Sequence, residues 1–401
     1  MNLRVYSNFT NKKKILLFCI VFSLINNLFS YGYYYFTQNG YPLLSFMTSP
    51  VGRFDDFYNN LFAPGEFLKT KANFTMYPLS NLLYKFFSNN DVHLSAFMFF
   101  ITMSAFLLWS LSRMNVGILF LVLVLVSYPY HFTIARGNNE IVLVGIAALI
   151  FRCIINQEYV KSFKYLIVLF LIEPYPYYIL IVFLYSKLAI IKSLKFVLLA
   201  SLVLVAFLLN DTILGYIKTL IFDGYDYISS AGPGSTLNSS SLSGLIQYIY
   251  LILTGQFPYE IASFILLSRI VPFLGSLTLV LFFLKYRRRI DPVTASILIV
   301  SGWTLLSGSS FDYRLLHFFI PLAIIITTLS SKSSKLDYLL ITFIMILFVP
   351  KPFLLFVADN NSLGETLGSV INPVIVLNIM VITLYRFYRI HLGQTEKIIN
   401  N

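Results

Sequence analysis

The chain has 401 residues, of which 58% are hydrophobic and only 11% are charged, an apolar content well above that of soluble domains. This composition excludes an ordinary soluble protein and predicts an all-α polytopic membrane protein, with residues 1–401 forming one integral membrane domain. The net charge of +12 does not indicate nucleic-acid binding, because the basic residues fall in short clusters between apolar segments and not in one patch.

The first apolar segment begins at Ile15, ends near Tyr34 and follows three consecutive lysines, Lys12 to Lys14. It is too long, and too poor in small residues at its end, for a cleaved signal peptide, so we expect it to be retained. The lysines that precede it predict a cytoplasmic N-terminus by the positive-inside rule.

Further apolar segments recur to the end of the chain, and together they predict a bundle of about 11–13 transmembrane helices. They cover 93–112, 116–130, 139–156, 165–186, 196–216, 261–284, 293–309, 314–331, 336–356 and 369–388. Basic clusters between them are expected to face the cytoplasm: Arg152/Lys161/Lys164, Lys187/Lys192/Lys195, Lys285/Arg287/Arg288/Arg289, Lys332/Lys335 and Arg386/Arg389. The C-terminus is then also cytoplasmic, and a bacterial inner membrane is the predicted location.

Segment 165–186 has basic flanks on both sides, which simple alternation across a membrane does not allow. It is interrupted by Glu173-Pro-Tyr-Pro176, and prolines remove backbone donors and disfavour helix in the residue before them. We therefore predict a broken, hairpin-like pair of short helices. The alternative is one kinked span with a local exception to the charge rule.

Two outer loops stand out. Loop 35–92 is the largest, and its aromatic stretch 82–87 suits a helix lying in the membrane interface. Loop 217–243 is rich in glycine, proline and serine, which is typical of a mobile loop.

The first outer loop contains an adjacent acidic pair, Asp55 and Asp56, close after Arg53. An aspartate near an apolar surface has its pKa raised by desolvation, which suits a general base that takes a proton from a sugar hydroxyl. The other interpretation of the pair is a solvated acid with no chemical role.

A basic residue begins a predicted span at two places on the outer side. Arg136, followed by Asn138 and Glu140, stands at the start of segment 139–156, where helix N-terminal amides favour an anion and arginine can bind phosphate through two hydrogen bonds. Arg314 is the second such residue, and Asp312 beside it is able to neutralise it. For Arg136 the alternative is an ion pair with Glu140, four residues further along the helix.

The sequence does not indicate a metal site or a cofactor. The four histidines are scattered with no spacing typical of a metal cluster, and there is no glycine-rich nucleotide-binding motif. An activated sugar is therefore not expected to arrive as a nucleotide bound to a soluble domain.

Taken in order, these motifs resemble those of glycosyltransferase family 87, polytopic enzymes of the GT-C class that use polyprenyl-phosphate-linked sugars. The resemblance extends over most of the chain. It rests on Asp56-Phe57, Tyr77-Pro78, Arg136-Gly-Asn138 with Glu140, Glu173-Pro-Tyr175-Pro176, the stretch 239–245 and Asp312-Tyr313-Arg314.

The resemblance implies an inverting transfer on the outer face of the membrane, from a polyprenyl-phosphate sugar to a glycan or glycolipid acceptor. Asp56 would be the base and Asp55 its substitute, while Arg136, Asn138 and Arg314 would bind the donor phosphate. The resemblance places the pocket around Glu140, Tyr77, Glu173, Tyr175, Asp312 and Tyr313. Family members commonly have Lys-x-Tyr-Pro where this chain has Glu173, which inverts the local charge.

Two other functions fit a polytopic chain. A polymerase of O-antigen or capsule repeat units also acts outside on lipid-linked glycans, but its largest loop usually comes late in the chain. A transporter or flippase would be marked by ionisable residues in the middle of spans, and Glu173 is the strong candidate of that kind.

Overall fold

The computed structural model describes part of the chain, and all regular structure in that part is helical, so the predicted all-α class is confirmed. The described residues are 2–37, 83, 86–87, 92–136, 138–173, 175–208, 241–254, 262–306, 312–329, 334–350 and 368–399. Most of the outer loops predicted at 35–92 and 217–243 lies outside the described residues.

The α-helices, numbered in chain order, cover the following ranges. They are α1 (Asn2–Thr37), α2 (Val92–Ser112), α3 (Ile118–Leu125), α4 (Tyr128–Arg136), α5 (Glu140–Ile155), α6 (Tyr159–Ile172), α7 (Lys187–Leu208), α8 (Leu242–Thr254), α9 (Ala262–Tyr286), α10 (Pro292–Leu306), α11 (Phe319–Thr328), α12 (Lys335–Leu347) and α13 (Gly368–Ile399). Two 3₁₀ helices join them, Pro176–Leu184 after α6 and Asp312–Phe318 before α11.

The helices α5 and α10 form the centre of the fold. Both are apolar on every face, and nearly all their residues are buried, as expected for a helix surrounded by others. Helices α2 and α6 pack on α5, while α9 and α13 pack on α10. Close contact between α2 and α5 depends on Gly145, where a Cβ atom would stand 2.6 Å from the ring of Phe106.

The outer helices present large apolar side chains to the surroundings. Phe18, Leu198, Phe273 and Val381 are each more than half exposed, on α1, α7, α9 and α13. Exposed apolar surface on this scale marks a membrane or protein contact. Within the described residues, Leu94–Ser112 and Val370–Ile390 are the two helical stretches long and apolar enough to cross a membrane by themselves.

The predicted segment 116–130 is not one helix, and this prediction is wrong. Helix α3 ends at Leu125 and α4 begins at Tyr128, so the helix is interrupted at Val126 and Ser127. Pro129 accounts for the break, because it has no amide hydrogen to continue α3 and its ring would clash with the carbonyl of Leu125, four residues earlier, in a continuous helix. Proline is well tolerated in the first turn of α4.

The predicted interruption between Glu173 and Pro176 is present, and the chain turns back there. Helix α6 ends at Ile172, and the 3₁₀ helix Pro176–Leu184 returns beside it. Tyr185, just after this returning arm, hydrogen-bonds through its hydroxyl to the hydroxyl of Ser162 near the start of α6, at 2.8 Å. Residues 165–186 therefore enter and leave at the same end of the helices.

The two ends of the central helices carry different sets of polar groups. We call the end that holds Glu140, at the start of α5, the site end. Helix α10 runs from Asp291, whose carboxylate caps its first turn, to Trp303 near the site end. The 3₁₀ helix Asp312–Phe318 and α11 after it run from His317 at the site end to Thr327, whose carbonyl accepts a hydrogen bond from Lys12 at 2.9 Å.

The opposite end, which we call the basic end, is held together by Arg386 of α13. Its guanidinium pairs with Asp337 at 2.8 Å and with Asp291 at 3.3 Å. Four further basic residues lie around this end: Lys12, Arg152, Lys161 and Arg289. The described members of the clusters predicted to share one side of a membrane thus lie at one end of the fold, whereas Lys332 is outside the described residues. The side of a membrane that this end faces stays a prediction.

Candidate functional site

The site is built around the first residue of α5, Glu140, whose side chain is only 2% exposed. Its backbone amide donates to the side-chain oxygen of Asn138 at 2.9 Å. Asn139 occupies the N-cap position of α5, but its side chain makes no capping hydrogen bond. The side chain of Asn138 therefore takes over this role at the start of the helix. The helix N-terminus favours a negative charge at Glu140, which offsets part of the cost of burying it.

A hydrogen-bonded chain leads from Glu140 into the core. His317 lies with its Nε2 atom 2.7 Å from Oε2 of Glu140, and its Nδ1 atom lies 2.6 Å from the hydroxyl of Tyr178. All three side chains are buried. With Glu140 ionised, Nε2 must carry the hydrogen, because a carboxylate only accepts, and a neutral His317 then accepts at Nδ1 from Tyr178.

Arg314 lies on the other oxygen of the same carboxylate. Its Nε atom is 3.8 Å from Oε1 of Glu140, which is an ion pair longer than a hydrogen bond. The guanidinium also stacks over the ring of Trp303, with 4.1 Å between Cζ and the ring centroid. Since the Arg314 side chain is only 11% exposed, both contacts act in a poorly solvated setting, where cation–π attraction is strongest.

The turn between α6 and the returning arm adds two more side chains to the site, those of Tyr175 and Glu173. Tyr175 is fully buried, with its ring centroid 4.2 Å from that of Trp303 and 5.5 Å from that of His317. Glu173, just before it, lies with Oε2 at 3.5 Å from Nδ2 of Asn139. The turn therefore brings a second carboxylate to the start of α5.

Three breaks in helical structure meet here, and each leaves polar groups at the site end. They are the gap between α4 and α5, the turn after α6 and the 3₁₀ helix that precedes α11. The second 3₁₀ helix also explains why Arg314 and His317 point together, since residues three apart eclipse one another in this geometry. An otherwise apolar fold thus concentrates two carboxylates, a guanidinium and an imidazole in one place.

This arrangement is suited to binding an anion and to moving a proton. A buried arginine that is oriented by a carboxylate and an aromatic ring is suited to binding a phosphate or a carboxylate through its planar fork of donors. The Tyr178–His317–Glu140 chain can fix the position of Glu140 and pass a proton between its members. Among the described residues, no group of three or more acidic, histidine or cysteine side chains could hold a metal ion.

No protein-family model matches this chain, and no curated protein matches its sequence. Its function must therefore be argued from the geometry of this site and from the chemistry of the residues in it.

The structure brings together five of the residues that the sequence predicted for a site: Asn138, Glu140, Glu173, Tyr175 and Arg314. Glu140 pairs with Arg314, whereas the sequence offered Arg136 as its alternative partner.

Other predicted residues are not tested by the structure. Asp55, Asp56 and Tyr77 lie outside the described residues, and so do the side chains of Arg136, Asp312 and Tyr313. The backbone does place Arg136 at the end of α4, close in sequence to Glu140, and Asp312 at the start of the 3₁₀ helix that carries Arg314.

The sequence interpretation missed His317, Trp303 and Tyr178. A signal was present for His317, because it follows Arg314 by three residues and so shares its helical face. Trp303 and Tyr178 sit within apolar runs, and no local pattern distinguishes them from ordinary core aromatics.

Proposed function

We propose that this protein is a polytopic membrane glycosyltransferase with a GT-C-like bundle of about 11–13 transmembrane helices. It would move a sugar, either a hexose such as mannose or a pentose, from a polyprenyl-phosphate donor to a lipid-linked or cell-envelope glycan at the outer face of the membrane. The observation that carries the proposal is the buried pairing of Arg314 with Glu140 at the site end, opposite the basic end.

The exposed apolar side chains of the outer helices support the membrane part of the proposal, since they suit contact with lipid tails. The gathering of basic residues at the opposite end supports an outward-facing site end, because cytoplasmic loops carry the excess of lysine and arginine. A donor with an isoprenoid tail would reach the site laterally from the lipid, with its phosphate near Arg314.

In this proposal the acceptor hydroxyl attacks the anomeric carbon of the donor sugar. Asp56 takes the hydroxyl proton, a bond forms between the acceptor oxygen and the anomeric carbon, and the bond from that carbon to the phosphate oxygen breaks. Polyprenyl phosphate leaves with the electron pair, and Arg314 and Arg136 stabilise the charge that develops on it. Glu140 and His317 are positioning residues in this proposal, because Glu140 pairs with Arg314, His317 holds Glu140, and neither contacts substrate.

The test uses purified protein reconstituted with a panel of polyprenyl-phosphate hexoses and pentoses and a membrane-glycan acceptor. Transfer of labelled sugar is expected in the wild type and not in Asp56→Asn. Arg314→Lys keeps the charge but loses the planar fork, so we expect kcat/KM to fall about tenfold or more, which is about 1.4 kcal/mol of transition-state stabilisation.

Arg113 offers a matched control for Arg314, because it also stacks on a tryptophan, with Cζ 5.2 Å from the ring centroid of Trp109. Arg113→Lys should leave transfer unchanged. Full activity in Arg314→Lys would remove this arginine from the proposed phosphate site, and no transfer from any donor by the wild type would contradict the proposed function.

A second candidate function is proton-coupled transport. The observation that favours it is the buried Tyr178–His317–Glu140 chain, because hydrogen-bonded ionisable groups inside a membrane bundle often carry protons. Proteoliposomes containing a pH-sensitive dye separate the two functions. Substrate-dependent proton uptake that is lost in His317→Gln, without any sugar transfer, would favour transport.

A further inference from the structure

The basic end contains a second polar assembly that the proposed reaction does not use. Arg386 of α13 binds Asp337 and Asp291 through Nε and Nη1. Asp291 caps α10 by accepting from the amides of Val293 and Thr294. Asp337 completes a capping box with Ser334 at the start of α12. Arg386 therefore ties three helices together, and the helix ends here are satisfied by side chains of the protein itself.

Beside this three-helix tie lies a cavity of about 730 Å³, within the size range of small-molecule sites. Its walls include Lys335 from α12 and Arg389 from α13, together with Arg386 and Asp337. Arg386 is shared by Asp337 and Asp291, so these two carboxylates and the three cations Lys335, Arg386 and Arg389 leave a net charge of +1 around the cavity. Within the described residues, neither Lys335 nor Arg389 forms a salt bridge, and both are exposed.

Aliphatic side chains stand next to these cations. Leu336 follows Lys335 on α12, and Ile390 follows Arg389 on α13, and both line the cavity. A soluble anion needs only the cations, whereas a phosphate that carries an apolar chain would also contact the aliphatic wall. Two cations from different helices can contact two oxygens of one phosphate group, which a single lysine cannot do.

We propose that this cavity binds a phosphate group, with Lys335 and Arg389 as its ligands and with Arg386 fixing their spacing. The aliphatic wall and the location at the basic end favour the phosphate of an anionic lipid headgroup, since the cytoplasmic leaflet is rich in such lipids and attracts lysine and arginine at the membrane surface. This inference does not depend on the proposed transferase activity.

The experiment measures the thermal unfolding midpoint of the full-length protein in detergent at constant ionic strength. Three probes are titrated separately: short-chain phosphatidylglycerol, short-chain phosphatidylcholine and inorganic phosphate. Phosphatidylglycerol is expected to raise the midpoint to a plateau, with little effect of the zwitterionic lipid. In Lys335→Gln/Arg389→Gln the apparent affinity should fall about 30-fold, because each cation near an anionic lipid contributes about fivefold.

Arg386 is left unchanged in this variant, so that the three-helix tie stays intact and the protein folds. The matched control is Lys192→Gln/Lys195→Gln, which removes two exposed lysines of α7 and should respond to phosphatidylglycerol as the wild type does. A response to inorganic phosphate alone would support the site and assign it to a soluble phosphate. No saturable response to any probe, or an equal response in the Lys335/Arg389 variant, would overturn the proposal.

Discussion

Replacing Glu140 tests whether the site end is held together by its buried carboxylate. In Glu140→Ala, His317 and Arg314 lose the acceptor that lies 2.7 Å from one and 3.8 Å from the other, inside a nearly closed environment. Removing one partner of a buried ion pair typically costs about 3–5 kcal/mol, because the remaining charge is left uncompensated. We expect the free energy of unfolding to fall by about that amount.

Glu140→Gln separates charge from shape. The amide has the size of the carboxylate and keeps an oxygen that can accept from Nε2 of His317, although Arg314 loses its countercharge in this variant as well. A hydrogen bond typically contributes about 0.5–1.5 kcal/mol, so the loss of stability should be smaller than in Glu140→Ala by about that amount. The order wild type, then Gln, then Ala is therefore expected for the free energy of unfolding.

The assay is equilibrium unfolding of the detergent-solubilised protein, followed by tryptophan fluorescence. The chain has two tryptophans, and Trp303 reports directly on the site because Arg314 stacks over it. Glu158 is the matched control, since it also pairs with a cation, Lys161 at 2.8 Å, but on the surface beyond the end of α5. Glu158→Ala should not change the unfolding midpoint. An Ala variant at 140 as stable as wild type would refute the reasoning.

Two further predictions concern packing and pH. Gly145→Ala should lower the free energy of unfolding by about 1–3 kcal/mol more than Gly32→Ala does. Both variants gain the same helix propensity, but only Gly145→Ala places a Cβ atom against Phe106. Equal denaturant midpoints in the two variants would contradict the close packing of α2 on α5. Burial lowers the pKa of His131, so the unfolded chain takes up a proton at its ordinary pKa while the folded chain does so only at lower pH. Stability should therefore fall as the pH drops from 8 to 5, and His131→Gln should lose less stability over that range. Parallel pH profiles of the thermal midpoint would argue against this effect of the partial burial of His131.

The helices themselves are predictable from the sequence where an apolar run has clear ends. Segment 139–156 corresponds to α5 almost to the residue, since Glu140 and Arg152 mark its two ends. Segment 116–130 has the uniformly apolar composition of one span, but composition does not report that Pro129 lacks the amide hydrogen needed to continue the helix.

Charged residues of the site were predictable for a different reason. Carboxylates and arginines are scarce in this chain, so Glu140, Glu173 and Arg314 stand out at the ends of apolar runs. Their mutual contacts were not predictable, because Glu140 and His317 are 177 positions apart and meet only when α5 packs beside the 3₁₀ helix before α11. Single-sequence patterns report spacing within one helix and carry no information about such distant pairs.

The 3₁₀ geometry of the returning arm Pro176–Leu184 determines how far its nine residues reach. A 3₁₀ helix rises about 2.0 Å per residue against 1.5 Å for an α-helix, so its nine residues extend about 18 Å where an α-helix would reach about 14 Å. The added length lets Tyr178 meet His317 at one end while Tyr185 meets Ser162 at the other. The more extended 3₁₀ helix thus lets the nine residues of the arm run beside the longer helix α6. The addition or removal of one residue in this arm would misplace the hydroxyl group of Tyr178 or that of Tyr185.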